Sequence, residues 1–207
     1  MKLFEKFDKV YCINLDKRTD RIEKFEKQVK EYDLGEFDRF SAFDGKKLNI
    51  KSNLLPGENG VIKTVLSILE KSKKENLNSI LIIEDDCIFD KKILQFENYW
   101  NNLPKDWDMI YFGGNHNLHV GAEPPKKINE NVIKLSNTYA AHCIGFNSRI
   151  FNVIIESIKN YNFPLDVTYQ HLQKYFNIYG FSPSLCTQNP DFSDIQNKFV
   201  DYTWLIK

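Results

Sequence analysis

Three consecutive carboxylates, Glu84, Asp85 and Asp86, stand directly after four large aliphatic residues, Ile80 to Ile83. Adjacent negative charges repel one another, and burying even one of them unpaired is costly. An oxygen-preferring divalent cation relieves that repulsion, which makes the trio a candidate metal site. The plainer alternative is a strand end whose acids point into water. On an extended strand residues 84 and 86 face one side and 85 the other, so two acids can share one task. A second charged stretch, Asp16-Lys17-Arg18-Thr19-Asp20-Arg21, follows the apolar run that begins near Lys9. Guanidinium forks and helix N-termini both suit phosphate, but Arg18 and Arg21 can equally pair with Asp16 and Asp20 at the surface. Asp44, in Phe43-Asp44-Gly45, suits hydrogen bonding to a ribose or base, or an Asx turn. Asp166 opens a late helical stretch, where capping is an aspartate's commonest task. Gly113 and Gly114 close an apolar run, where the lack of a side chain permits close backbone approach.

These groups need elements to hold them. Ser79 to Glu84 has no helical period and carries β-branched residues, which predicts a strand buried on both faces. Lys9 to Leu15, Glu36 to Ala42, Trp107 to Phe112, Val132 to Leu135, Ala140 to Phe146 and Ile178 to Phe181 also read as strands. Ile22, Phe25, Val29 and Tyr32 recur at helical spacing after Asp20, which with Glu23 fits a capping box. Further helices are predicted over 58–74, 91–101, 149–159 and 167–176. The stretch from His116 to Asn131 has no period and reads as a long loop, of the kind that often serves as a lid or acceptor-binding segment. The tail from Gln188 onward reads as irregular. Strands alternating with helices predict a layered α/β fold, with residues 1–207 as one domain. In such sheets the carboxyl ends of the strands border the ligand crevice, which is where the acids fall.

Composition removes several function classes. Lys plus Arg and Asp plus Glu number 28 each, so no net field draws the chain to nucleic acid. No apolar run is long enough to span a bilayer, and the start, MKLFEKFDK, lacks a signal peptide's apolar core. Cys12, Cys87, Cys143 and Cys186 form no CxxC pair and read as buried free thiols of a cytoplasmic protein. His116, His119, His142 and His171 make no zinc-ligand pattern. No dinucleotide fingerprint, P-loop or GxSxG motif is present.

Taken together, several stretches resemble glycosyltransferase family 25, which includes lipooligosaccharide and collagen galactosyltransferases. They are Val10 to Arg21 (VYCINLDKRTDR), Ala42 to Gly45, Gly57 to Gly60, Ile83 to Asp86, Trp107 to Gly114, and Ser193-Asp194-Ile195, in that order. One departure is Thr64-Val65, where the family often carries Ser-His. The resemblance implies a GT-A-like nucleotide-binding sandwich with a central, mostly parallel sheet flanked by helices. It further implies Mn2+ or Mg2+, a nucleoside-diphosphate sugar donor with a UDP-sugar favoured, and inverting transfer to a glycan, lipid-linked saccharide or protein acceptor. On that reading Asp86 with Glu84 holds the metal. Asn14, Leu15, Arg18 and Arg21 line the nucleotide and diphosphate, with Asp44 and Gly45 near the ribose or base. Asp85, Gly113 and Gly114 complete the donor site. Inversion needs a general base; Asp166 is the first candidate, Asp194 the second and His142 the third. The implied setting is cytoplasmic, peripheral to a membrane where the acceptor is built there. Two competing readings are a non-catalytic sugar-nucleotide or glycan-binding module and a metal-dependent phosphodiesterase.

Overall fold

The computed structural model describes residues 2–116, 123–196 and 198–201 of the 207-residue chain. Strand β1 (Lys9–Asn14) leads to helix α1 (Thr19–Glu31) and strand β2 (Asp38–Ser41). Helix α2 (Pro56–Lys74) feeds β3 (Ser79–Glu84), and a turn at Asp85-Asp86 joins it to β4 (Cys87–Phe89). A 3-10 segment, Lys91–Gln95, runs into α3 (Phe96–Asn101), followed by β5 (Met109–Tyr111). Short strands come next: β6 (Asn115–His116), β7 (Lys126–Lys127), β8 (Val132–Lys134) and β9 (Thr138–Tyr139). Strand β10 (Cys143–Asn147) precedes helices α4 (Ser148–Ile158) and α5 (Leu165–Leu172). The described chain finishes with β11 (Ile178–Phe181), β12 (Cys186–Gln188), β13 (Asp191–Ser193) and β14 (Lys198–Val200).

The main sheet is ordered β2-β1-β3-β10-β5-β11-β8-β7. β1 pairs in parallel with β2 and β3, and β5 with β11, whereas β10 runs antiparallel between β3 and β5. β8 is antiparallel to both β11 and β7. Most of the sheet therefore runs in one direction, with β10 and β8 reversed. This is the α/β sandwich that the strand–helix alternation predicts.

Alternation along the strands divides the interior into two cores. Val10, Cys12, Leu81, Ile83, Ile110 and Tyr179 face one side, where α1 contributes Ile22, Phe25 and Val29 and α3 contributes Phe96 and Tyr99. Tyr11, Ile13, Ile80, Ile82, Met109 and Ile178 face the other, against α2, α4 and α5. Both faces of β3 are covered, which is why its sequence is a continuous apolar run rather than an alternating one.

Several boundaries differ from the sequence expectation. Helix α1 starts at Thr19 with Arg18 at its cap, and no side chain caps it; Asp20 lies in the first turn, where its carboxylate pairs with Arg18. Half of such a box is found at α2, where Glu58 accepts the Leu55 N–H at 2.7 Å while the N-cap leucine offers no side-chain acceptor. The helix predicted over 91–101 is split between 3-10 and α geometry, and α5 ends at Leu172 rather than 176. The strand expected from Ala140 begins only at Cys143, because Ala140 takes a left-handed φ of 76° that breaks the extended run. The tail is not irregular: β12 pairs with β4, and β13 with β14 as a hairpin.

Candidate functional site

The crevice opens where the sheet changes direction. The carboxyl ends of β1, β3 and β5 meet the amino end of reversed β10 there, so Leu15, Glu84, Gly114 and His142 all reach one cleft of about 570 Å³. Helix α5 brings Asp166 to its wall, and the segment after β13 brings Asp194. Leu55 and Val61, from the start of α2, supply an apolar side.

The acids do not follow simple strand alternation. Glu84 ends β3, and the chain then turns, so Asp85 and Asp86 both approach one guanidinium. Arg21 Nη1 lies 3.1 Å from Asp85 Oδ1 and 3.2 Å from Asp86 Oδ2. The expected division, with 84 and 86 on one side and 85 on the other, fails because the extended backbone stops at 84. Asn14 Nδ2 donates to the second oxygen of Asp85. Asp86 Oδ1 is buried with no hydrogen-bond partner among the described residues. Glu84 Oε2 accepts from Gln188 Nε2 at 3.2 Å.

Electrostatics follow from this crowding. Burial lifts the Glu84 carboxyl well above its ordinary range, and the charges of Asp86, Asp85 and Asp166 push the same way. Burial also raises Asp86, to about 6, despite the opposing charge of Arg21. A buried orphan oxygen on Asp86, beside the crowded carboxyl of Glu84, is a donor set that fits a hard divalent cation, whose charge would offset the crowding. A separate cluster of metal-type ligands lies in the core, where Sγ of Cys87, Cys143 and Cys186 are within 4.8 Å of one another. All four cysteines are buried and unpaired.

Arg21 is only 8 % exposed and joins two parts of the site. Besides the acidic turn it holds β13, with Nε 3.2 Å from Asp191 Oδ2 and Nη2 donating to the Phe192 carbonyl at 2.8 Å. Arg18 binds Asp194 Oδ2 at 2.6 Å and Asp191 Oδ2 at 3.0 Å. Lys17 takes the other Asp194 oxygen at 2.8 Å. Although burial acts to raise Asp194, Lys17 and Arg18 outweigh it and hold the carboxyl below its usual range. An acid so engaged is a poor proton acceptor. Asp166 is differently placed: it is the second residue of α5, one oxygen accepts the Val167 N–H at 2.8 Å, and its side chain lines the cleft.

Asp44, Gly45, Gly113 and Asn14 stand outside the cleft lining. Asp44 makes the Asx turn, accepting the Lys46 N–H at 3.1 Å. Gly45 is required by packing, since a Cβ there would fall 1.5 Å from the Pro56 carbonyl oxygen. A Cβ on Gly113 would lie 2.1 Å from the Cys186 carbonyl oxygen, so the close approach at that glycine comes from β12. Asn14 is buried beneath Asp85 rather than on the cleft surface. His142 is buried, both ring nitrogens lack partners among the described residues, and burial lowers it to about 4. His116 meets Thr138 Oγ1 at 2.8 Å, and His119 lies outside the described residues. Gln188 and Asp191 are site residues that sequence reasoning missed; both come from short tail strands that carry no apolar alternation.

Comparison with known proteins matches residues 7–162 to the model of "Glycosyltransferase family 25 (LPS biosynthesis protein)". Human procollagen galactosyltransferase 2 is 27% identical over 164 residues, 68% of this chain and 26% of that protein. Procollagen galactosyltransferase 1-B of Xenopus laevis is 32% identical over 131 residues, covering 52% and 21%. The chain thus spans about a quarter of the length of these curated relatives. Among solved structures, a glycosyltransferase involved in glycosylation of the major capsid of PBCV-1 superposes with a TM-score of 0.55. That match is 11% identical and covers 91% of this chain and 95% of the other, a likeness of fold.

Proposed function

This chain belongs to glycosyltransferase family 25, and from that premise we propose that it moves a sugar from a nucleoside-diphosphate donor to a hydroxyl acceptor. The observation that supports this most is the convergence on one cleft of Glu84, Asp85 and Asp86, two arginines, and Asp166 on the facing helix. The donor diphosphate lies toward Arg18, Arg21 and the acidic turn. The sugar lies between that turn and Asp166. A Mn2+ or Mg2+ ion held by Asp86 and Glu84 would supply neutralisation of the charge that gathers on the departing diphosphate.

The chain's own residues perform the rest. Arg21 fixes the Asp85-Asp86 turn, and Gln188 orients Glu84 toward it. Asp166 takes the proton of the acceptor hydroxyl as its oxygen bonds to the anomeric carbon. The bond from that carbon to the phosphate oxygen breaks, and the nucleoside diphosphate leaves with the electron pair. Attack from the face opposite the leaving group inverts the anomeric centre, so an α-linked donor gives a β-linked product. A UDP-hexose, galactose or glucose, is the donor class, and a glycan, lipid-linked saccharide or protein hydroxyl the acceptor class.

Purified protein is screened with UDP-, GDP-, CMP- and dTDP-sugars in the presence of Mn2+, following release of free nucleotide and thermal stabilisation. Metal-dependent release from one donor, absent in Asp86→Ala, is expected. Stabilisation by a donor with no release, even when candidate acceptors are supplied, would overturn the catalytic reading in favour of a binding module.

A further inference from the structure

The two arginines that face the cleft are already occupied. Asp191, Asp194 and the Phe192 carbonyl, all from one tail segment, bind Arg18 and the Nε and Nη2 of Arg21, whose Nη1 is held by Asp85 and Asp86. Apart from Asp20 in its own helix turn, the charged partners of Arg18 come from that segment. Two carboxylates and a carbonyl thus present acceptor oxygens to both guanidinium forks, an arrangement that a diphosphate would reproduce with more charge.

Among the described residues the segment stands apart from the main sheet. β13 and β14 pair only with each other and add nothing to the main sheet. Phe192 and Phe199 face each other across the hairpin, and both are exposed. Neighbouring attachments include the Asn189 N–H to the Asp86 carbonyl, at 2.8 Å, and the packing of Ile195 on Gly57. Ion pairs to Arg18, Arg21 and Lys17 tie the segment to the start of α1, and these are the contacts an anionic ligand contests.

Resting on the proposed donor reading, we propose that the Asp191–Asp194 segment is a built-in competitor for the donor diphosphate. In the empty cleft its carboxylates hold the arginines in place and neutralise them. When a nucleoside diphosphate enters, its phosphate oxygens take over the guanidinium contacts and the hairpin is released. The device raises the donor concentration needed for occupancy and discriminates against ligands with a single weak anionic group.

The test measures UDP and inorganic pyrophosphate binding by calorimetry for the wild type and for Asp191→Asn/Asp194→Asn, each with thermal melting to confirm folding. The double variant is expected to bind UDP about ten-fold more tightly, since competing charge-assisted contacts are removed. Unchanged or weaker binding overturns the inference, because the acids then belong to the bound state or to neither. A second measurement needs no variant: amide hydrogen exchange across β13 and β14 in the wild type should accelerate when UDP is added, and slower exchange overturns the inference. If wild type and variant both ignore UDP and pyrophosphate, with and without Mn2+, the donor reading itself falls.

Discussion

Asp166 and His142 line the same cleft but can be separated by experiment. Asp166→Asn keeps the shape and removes the proton acceptor, so kcat is expected to fall about 10²–10⁴-fold while the donor Kd stays near the wild-type value. Steady-state kinetics with a calorimetric Kd checks this, and a Kd that collapses together with kcat would assign Asp166 to donor binding. His142 has a different signature. Burial holds its imidazole neutral down to about 4, whereas the unfolded chain takes the proton near 6.5. The unfolded state therefore binds more protons between those values, and this residue's contribution to stability is lost as pH falls through that window. Glu84 and Asp86 act in the opposite sense, since burial raises them, so the comparison must be with a variant. His142→Asn should show a shallower loss of Tm than wild type from pH 6.5 to 4. A parallel profile would mean that the imidazole does not titrate there.

Elements were legible in proportion to how much apolar surface they bury. β3 was readable because both its faces are covered, and α4 because Ile150, Phe151, Ile154 and Ile158 repeat at helical spacing on one core. β13 and β14 were not, because their residues are mostly exposed and no period distinguishes them from loop. The acidic turn was located correctly along the chain, yet its geometry was hidden, because Arg21, more than sixty residues away, determines where Asp85 and Asp86 point. The glycines at the start of α2 were visible as a motif, but the partner each one touches was not. Gly45→Ala places a Cβ against the Pro56 carbonyl and forces the short 3-10 turn Gly45–Lys47 off α2; the expected loss is about 1–3 kcal/mol in denaturant titration. An unchanged midpoint would mean that this turn relaxes freely.

At the scale of the molecule, the two cores share one sheet, so they are expected to unfold as one cooperative unit. Phe25 is fully buried among Phe37, Phe89 and the strands of one face, so Phe25→Ala is expected to cost about 3–5 kcal/mol. A single transition followed by both intrinsic fluorescence and far-ultraviolet circular dichroism would show that the opposite core unfolds with it. Two separated transitions would show that the faces are independent. The cysteines offer another reading of the same interior. Burial pushes the thiols of Cys12, Cys87, Cys143 and Cys186 well up, so an aromatic disulfide reagent at pH 8 should titrate them only after unfolding. Rapid labelling of the native protein would show that the face beneath the cleft opens.

The reversal of β10 has an evolutionary corollary. Because that strand enters the sheet beside the points where its neighbours leave it, the stretches that precede β10, follow β5 and precede α5 all gather at one rim. Side chains there can change while the eight-stranded ladder beneath keeps its pairing. On the proposed reading, a change of acceptor is a change at this border while the frame stays as it is.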